Sequence, residues 1–414
     1  MININHLFLR FLFSFSWIFV LIQHIFVIQG ETHRFVFLGI ANKVQAFCYF
    51  FLIALFFFLK GRFKKPSNQI ILLIIFSLCL FFIGLALNNP SSVFTDFALI
   101  GMQIIFFYLG WVFFKELGNK DLIKKILNDS IFFALVIGVL FFSYGFEYQS
   151  PIIGFYALSV YAVLRFGKTF NIYFWIILIM MNILWAFGKQ NLLISVIGLA
   201  LIYLNGDLFN PRHISLRNLS NTFLRFIMLF PILISSVYIL VFSDLEFGSI
   251  TKLLLLLDSL SFDIPINILF NYPELLYQVL DVSTASRLYE LILVLDQNSK
   301  SILSIFLGQG FGGEIDLSSK NEFVGLEYTF DTTRVAQTLP VYLLLKFGVL
   351  GNLFFIILFF SYLRKRIYSK NLFYPFLICF ITSILAFSIT IFHFIGFFWG
   401  AMIAQNNLRE IKNP

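Results

Sequence analysis

Charge is scarce in this sequence. Charged residues make up 12% of the 414-residue chain, against roughly 25% in an average soluble domain. Hydrophobic residues make up 60%, and the mean hydropathy is +0.91. A soluble domain of this length cannot cover so much apolar surface. The composition therefore argues against a soluble enzyme and predicts a protein that crosses a membrane many times.

Cysteine, histidine and paired acidic residues are also rare, and each shortage excludes a kind of site. Cys48, Cys79 and Cys379 lie inside apolar runs, where a reduced thiol acts as a small packing residue. The five histidines lack the spacing of a zinc ligand set. The first outer loop, residues 29–34, lacks the Asp-x-Asp pair of a metal-dependent membrane glycosyltransferase. We therefore expect no disulfide framework, no cofactor and no metal.

Long apolar runs take the place of charge. They lack the alternation of barrel strands and are about 20 residues long, which predicts transmembrane helices. We count about twelve of them, and so predict an all-α polytopic membrane protein. The runs cover roughly 8–28, 35–59, 69–87, 94–114, 126–145, 151–166, 170–187, 190–205, 222–242, 338–363, 371–389 and 391–405.

Lysine and arginine set the orientation. With the N-terminus in the cytoplasm, most of the 29 Lys and Arg residues fall on the cytoplasmic side, as the positive-inside rule requires. The net charge of +8 thus indicates an orientation in the bilayer and not a nucleic-acid partner. We expect helices 1–9 in residues 1–242, a large extracytoplasmic loop in 243–337, and helices 10–12 with a short cytoplasmic tail in 338–414.

The predicted loop is the one long polar stretch, and it holds more than half of the 21 acidic residues. Loops of this length are uncommon unless they are functional or disordered. Helical periodicity argues against disorder, because 249–260 reads as a short helix at the membrane surface and 284–306 as an amphipathic helix. Thr284 is the expected N-cap of the second helix. Its apolar stripe consists of Leu288, Leu291, Ile292 and Leu295.

A glycine-rich turn, residues 308–313, follows this helix. A nucleotide-binding loop would need a strand before it and a helix start after it, whereas here a helix precedes and an acidic coil follows. The turn is either a plain flexible turn or a hinge that lets the loop cover a membrane-embedded pocket. Glu314 and Asp316 have the spacing of a metal-binding pair, but we expect them to be solvated.

Basic residues on the predicted outer face are the candidate binding groups. Lys43 lies within the second run and Lys189 between two runs, at depths where ionisable groups usually face a cavity or a partner. Arg287 lies on the amphipathic loop helix and Arg334 precedes the tenth run. Snorkelling and surface ion pairs are the competing interpretation. Together the four residues would form a cationic pocket suited to a lipid-linked diphosphate.

The order of short motifs resembles the O-antigen polymerase and O-antigen ligase superfamily. Gly-Lys-Gln-Asn-Leu-Leu at 188–193 opens a span, and Ser286-Arg287 lies on the loop helix. Leu-Gly-Gln-Gly-Phe-Gly at 307–312 forms the turn, and 337–351 runs from Gln-Thr to Gly-Val-Leu-Gly. Lys189 stands where the family has Arg, and Gln337 stands where ligases have His. A glutamine can orient a hydroxyl but cannot take its proton.

The resemblance implies a membrane glycosyltransferase, similar to the GT-C type, in a bacterial inner membrane. Its donor would be a saccharide on polyprenyl diphosphate, its acceptor the terminal sugar of an incoming lipid-linked repeat unit, and its partners a chain-length regulator and a flippase. The implied catalytic residues are Arg287, Lys189, Gln337 and Glu290. The implied diphosphate-binding residues are Arg287, Arg334, Lys189 and Lys43, and the hinge glycines are Gly308, Gly310 and Gly312. Asp281 and Asp331 are further candidates for the base.

Three other functions stay open. The first is the ligase that joins finished polymer to the lipid A core. The glutamine at position 337, where ligases have histidine, argues against this function. The second is a polysaccharide flippase or another transporter, which would need no large outer loop and often shows internal repeats that we do not find here. The third is a non-catalytic membrane assembly protein, in which the loss of single arginines would do no harm.

Overall fold

A computed structural model of the chain describes residues 4–14, 47–58 except 52 and 57, 68–144, 282–316, 332–333, 336, 338–364, 370–385 and 389–412. Of these residues 89% are helical, as an all-α fold requires. Within them one helix, Pro90–Phe113, is long and apolar enough to cross a membrane by length and composition. The count of about twelve spans stays a prediction.

Eight helices are named here in chain order. They are α1 (Asn68–Leu87), α2 (Pro90–Phe113), α3 (Lys120–Tyr144), α4 (Val282–Ser299), α5 (Ile302–Leu307), α6 (Leu339–Arg364), α7 (Lys370–Leu385) and α8 (Ile389–Lys412). A 3-10 turn, Glu116–Gly118, joins α2 to α3, and residues 4–14 and most of 47–58 are also helical. Two short strands, β1 (Ile315–Asp316) and β2 (Thr332–Thr333), pair antiparallel with Ile315 opposite Thr333.

Helices occupy most of the predicted runs that the structure describes. Runs 69–87, 94–114 and 338–363 correspond to α1, α2 and α6 within a few residues. The helix α8 continues to Lys412, past the predicted end at 405. The loop between α1 and α2 is very short because Asn89 caps α2, accepting a hydrogen bond from the Ser91 N–H, and Pro90 follows at the first helical position.

The helices α2 and α8 pack in parallel at very short range. A Cβ on Gly400 would collide with the carbonyl oxygen of Phe107, and one on Gly396 would lie 3.0 Å from the carbonyl oxygen of Gln103. Gly396 and Gly400 are four residues apart on one face, the small-residue spacing that lets membrane helices approach closely. The contacting residues advance together, from Gln103 opposite Gly396 to Phe107 opposite Gly400. The helices α2 and α8 therefore run in the same direction.

The predicted helix 284–306 is two helices in the structure, and this corrects the prediction. Ser301 has extended backbone angles and its Oγ accepts the Ser304 N–H at 3.0 Å, so it caps a new helix, α5. Thr284 is not an N-cap, since α4 begins at Val282. The break separates α4, which carries Arg287, from the short apolar α5.

The apolar stripe predicted for this helix is only partly buried, because Leu291 and Ile292 pack half-buried against the core. Leu288 and Leu295 are each 39% exposed. Polar side chains position the helix: the amide of Asn298 donates to the carbonyl of Leu344 on α6 at 3.0 Å. The face turned inward consists of Ala285, Ser286, Tyr289, Glu290, Val294 and Asn298.

Candidate functional site

A break in α6 is the centre of the candidate site. Gly348 has φ 58° and ψ −158°, which interrupts the regular helix just after Leu344 and Leu345. The Asn298 amide donates to the Leu344 carbonyl at 3.0 Å, and the Gln309 N–H donates to the Leu345 carbonyl at 2.7 Å. Residues of the predicted loop therefore satisfy the backbone of a broken apolar helix.

The glycine turn takes a left-handed backbone at alternate residues. Gly308 and Gly310 have φ 71° and Gly312 has φ 82°, angles that favour glycine because a Cβ clashes there. A Cβ on Gly308 would lie 2.6 Å from the Gly348 nitrogen. All three glycines are buried. The turn is thus built for contact with α6 as well as for a reversal of the chain.

The same turn docks on the connection between α1 and α2. The Asn88 side-chain amide donates to the carbonyl of Gln309 at 2.6 Å and to that of Phe311 at 2.9 Å. A Cβ on Gly84 would meet the Phe311 backbone, with the Phe311 nitrogen 3.0 Å away. Phe311 is fully buried in a core that also contains Leu80, Val93, Val294, Ile315, Tyr342 and Phe347.

A buried ion pair closes the contact between the turn and the helices. Lys346 Nζ donates to Asp96 Oδ2 at 2.5 Å and to the Gly313 carbonyl at 2.5 Å. The Gly312 N–H donates to the same Asp96 oxygen at 2.6 Å. The two side chains are 0% and 1% exposed, so the charges neutralise each other away from solvent. We call Asp96, Lys346, Gly348 and turn 308–313 the glycine-turn junction.

Sequence reasoning missed Asp96 and gave Lys346 no role of its own. The available signal was that each is an isolated charge in an apolar run, 94–114 and 338–363, with opposite signs. A charge in such a run is costly unless it is paired. The junction therefore uses Lys346 for structure, and its charge is already neutralised by Asp96.

Arg287 lies at the other end of α4 from the junction. It is half-buried, and Glu290, one turn further on, is 2% exposed. Asn298 anchors the helix to α6, about 16 Å along the axis from Arg287. The structure therefore places Arg287 and Glu290 on a helix that the junction holds at one end. A buried carboxylate one turn from a half-buried guanidinium can orient a polar substrate.

The other predicted site residues lie outside the described residues. They are Lys43, Lys189, Arg334 and Gln337, together with the alternative bases Asp281 and Asp331. The cationic pocket therefore stays a prediction, and Arg287 is the member whose position the structure describes.

The hinge role of Gly308, Gly310 and Gly312 also stays a prediction, since it concerns motion. The structure gives these glycines a packing reason that needs no hinge. Glu314 is more than a solvated group, because it accepts a hydrogen bond from Ser92 Oγ at 3.1 Å. Asp316, in β1, is exposed.

A second polar spot lies between α2 and α8. His393 is 1% exposed, and its ring stacks on Phe106 with centroids 4.9 Å apart. Within the part of the chain that the structure describes, neither His393 ring nitrogen nor the Gln103 side-chain nitrogen has a hydrogen-bond partner. The described residues contain no group of three His, Cys, Asp or Glu side chains that could hold a metal ion.

Comparisons with known proteins return nothing for this chain: no family model, no curated protein and no solved structure matches it.

Proposed function

We propose that the protein is a polymerase of O-antigen or a related surface polysaccharide, embedded in a bacterial inner membrane by about twelve helices. The observation that carries the proposal is the glycine-turn junction. It joins two of the segments on which the family resemblance rests, the turn at 307–312 and the Leu-Lys-Phe-Gly stretch at 345–348, which are distant in the chain.

The reaction transfers a growing glycan between lipid carriers. The bond between the anomeric carbon of the donor sugar and the diphosphate oxygen breaks, and the acceptor hydroxyl forms the new glycosidic bond. The hydroxyl proton goes to a carboxylate, for which Glu290 is the described candidate, and Gln337 orients the hydroxyl. Arg287, with Lys189, Arg334 and Lys43, stabilises the charge that develops on the leaving diphosphate. Holding donor and acceptor in register supplies much of the remaining acceleration.

Contacts at the two ends of α2 support the proposed topology. The turn of the outer loop contacts Asn88 and Asp96, near the predicted outer end of α2. At the other end, Asn5 donates to Glu116 at 2.7 Å, and Arg10 pairs with Asp129 at 2.8 Å. These residues lie at or next to the predicted cytoplasmic ends of their spans, so these two contacts join segments assigned to the same side.

The lipopolysaccharide ladder of a deletion strain tests the function. Loss of a polymerase leaves a single repeat unit on the core. Lipid-linked polymer with a bare core would instead indicate a ligase, and loss of every outward repeat would indicate a flippase. A ladder unchanged from the parent strain would contradict all three. Complementation with the intact chain restores the ladder if its loss is due to this protein.

Metal independence is the proposal's second testable part. Polymerisation in purified membranes should continue in EDTA, since cationic side chains carry the charge stabilisation. Loss of activity that Mg²⁺ or Mn²⁺ restores would contradict this mechanism and return Glu314 and Asp316 to consideration as ligands.

A further inference from the structure

The short helix α5 exposes an unusually apolar surface for a segment of an extracytoplasmic loop. Ile302 is 75% exposed, Leu303 55%, Phe306 46% and Ile305 37%. A contiguous apolar patch of this kind marks a contact surface. Its own polar groups are satisfied locally, because Ser301 caps the helix and the Gly308 N–H donates to the Ser304 carbonyl at 2.9 Å.

The depth of α5 follows from where it meets α6. A Cβ on Gly348 would lie 2.6 Å from the Phe306 carbonyl oxygen, so the end of α5 is seated at the break in α6. Gly348 is about 13 Å along the axis from Leu339, the predicted outer end, and about 24 Å from Arg364, the predicted inner end. The hydrocarbon layer is about 30 Å thick. Phe306 is therefore below the outer boundary of that layer if α6 crosses the membrane.

A second measure of depth gives the same answer. The turn that follows α5 donates its Gly312 N–H to Asp96, which lies about 9 Å along the α2 axis from Pro90. The junction is thus beneath the outer ends of both α2 and α6.

We propose that α5 is embedded in the outer leaflet, with its apolar side chains in contact with lipid acyl chains. The residues of α6 that follow the contact with α5 are also apolar and exposed: Val349, Leu350 and Leu353 are 38%, 49% and 48% exposed. Acyl chains cover both surfaces at the same depth. This inference rests on the proposed membrane topology and does not depend on the proposed reaction.

Spin labels at single cysteines test the contact in the full-length protein. Cys48, Cys79 and Cys379 are replaced by alanine, and the labels are attached to Leu303→Cys and Phe306→Cys in phosphatidylcholine liposomes. Collisions are measured with oxygen, which concentrates in lipid, and with a water-soluble nickel chelate. Lys300→Cys is the water reference, since the Lys300 side chain is 70% exposed, and Leu353→Cys is the lipid reference on α6.

Labels at 303 and 306 are expected to match the label at 353: frequent collisions with oxygen, and collisions with nickel several times rarer than at 300. Frequent nickel collisions at 303 and 306, with 353 shielded, would overturn the inference and leave the topology intact. Few collisions with either reagent would also overturn it, because another part of the chain or a second copy would then cover α5. Nickel reaching 353 itself would contradict the proposed crossing by α6, and the inference with it.

Discussion

Arg287 is the residue that most directly links the sequence motifs to the described structure. It lies half-buried on α4, one turn before the buried Glu290, and its planar guanidinium can contact two phosphate oxygens at once. In the proposed reaction Arg287 faces the leaving diphosphate, and it is the side chain of the proposed cationic pocket whose position the structure describes. Its position on α4 is distant from the junction, so its substitution leaves the contacts of the junction in place.

Substituting Arg287→Ala should abolish the polysaccharide ladder while the amount of protein in the membrane stays normal. Loss of one charge-assisted contact in a water-poor site costs roughly 3 kcal/mol, or about a hundredfold in rate. Arg287→Lys should restore activity only in part, because an ammonium lacks the two-point contact. Lys300→Ala is the matched control, since Lys300 makes an exposed 3.6 Å ion pair with Asp296. A full-length ladder from Arg287→Ala would rule out the proposed role.

The ion pair of Asp96 and Lys346 makes a prediction about stability. Lys346→Met removes one partner and leaves the Asp96 carboxylate buried, which should destabilise the protein by about 3–5 kcal/mol. Adding Asp96→Asn should recover much of this loss, because a neutral amide oxygen can still accept the Gly312 N–H. Thermal unfolding in detergent measures both variants. If the double variant is as unstable as the single one, the buried charge is not the cause.

The glycine turn shows, at the level of elements, how packing determines local conformation. Three positive-φ glycines alternate through it, and the break in α6 at Gly348 faces them. The loop donors Asn298 and Gln309 donate to the Leu344 and Leu345 carbonyls just before this break. Turn, break and donors are therefore one unit, and a change in any of them should disturb the others.

Gly308→Ala tests this unit. A Cβ there would lie 2.6 Å from the Gly348 nitrogen and 2.7 Å from the Leu345 carbonyl oxygen, on a backbone with φ 71°. Strain and overpacking should lower the free energy of unfolding by about 1–3 kcal/mol. The substitution should therefore lower the melting temperature and the yield of folded protein. Gly101→Ala is the control, because nothing lies within 4 Å of a Cβ there. It should be neutral or stabilise α2 by up to about 1 kcal/mol. Equal effects at both positions would contradict the packing argument.

Helices such as α1, α2 and α6 could be predicted from the sequence because length and hydropathy are local properties of an apolar run. The division of 284–306 into α4 and α5 could not be predicted from periodicity alone. It depends on Ser301 taking extended angles to cap α5, and on Asn298 reaching the Leu344 carbonyl on the distant helix α6.

The candidate site was predictable to a similar degree. The three turn glycines stood out because such a cluster is unusual in an apolar sequence, whereas the site role of Arg287 stays a prediction. The pairing of Asp96 with Lys346 could not be foreseen, since 250 residues separate them. The hydrophobic pattern of one segment does not show which distant segment it packs against. The inward face of α4 was only partly predicted for the same reason, because Asn298 binds a distant carbonyl on α6 and half of the apolar stripe is exposed.

For the whole molecule, the parallel packing of α2 and α8 constrains the path of the chain. If both helices cross the bilayer in the same direction, the segment between them must cross an odd number of times. The predicted topology meets this condition, because it runs α2, α6 and α8 from the outside to the cytoplasm. The junction agrees, since it joins the starts of α2 and α6 on the side assigned to the large loop.

Reporter fusions test this arrangement directly. Fusions after Lys65, Lys125, Arg217 and Lys370 should report the cytoplasm, because the basic connections stay on that side. A fusion within 244–334 should report the outside. A fusion after Asn88 is a sharper probe, since the junction places this residue on the same side as the glycine turn. If Asn88 and the large loop reported opposite sides, the crossing direction of α2 or α6 would have to be reversed. A cytoplasmic signal from both would keep the junction but move Arg287 away from any extracytoplasmic substrate, and the proposed polymerase would then be wrong.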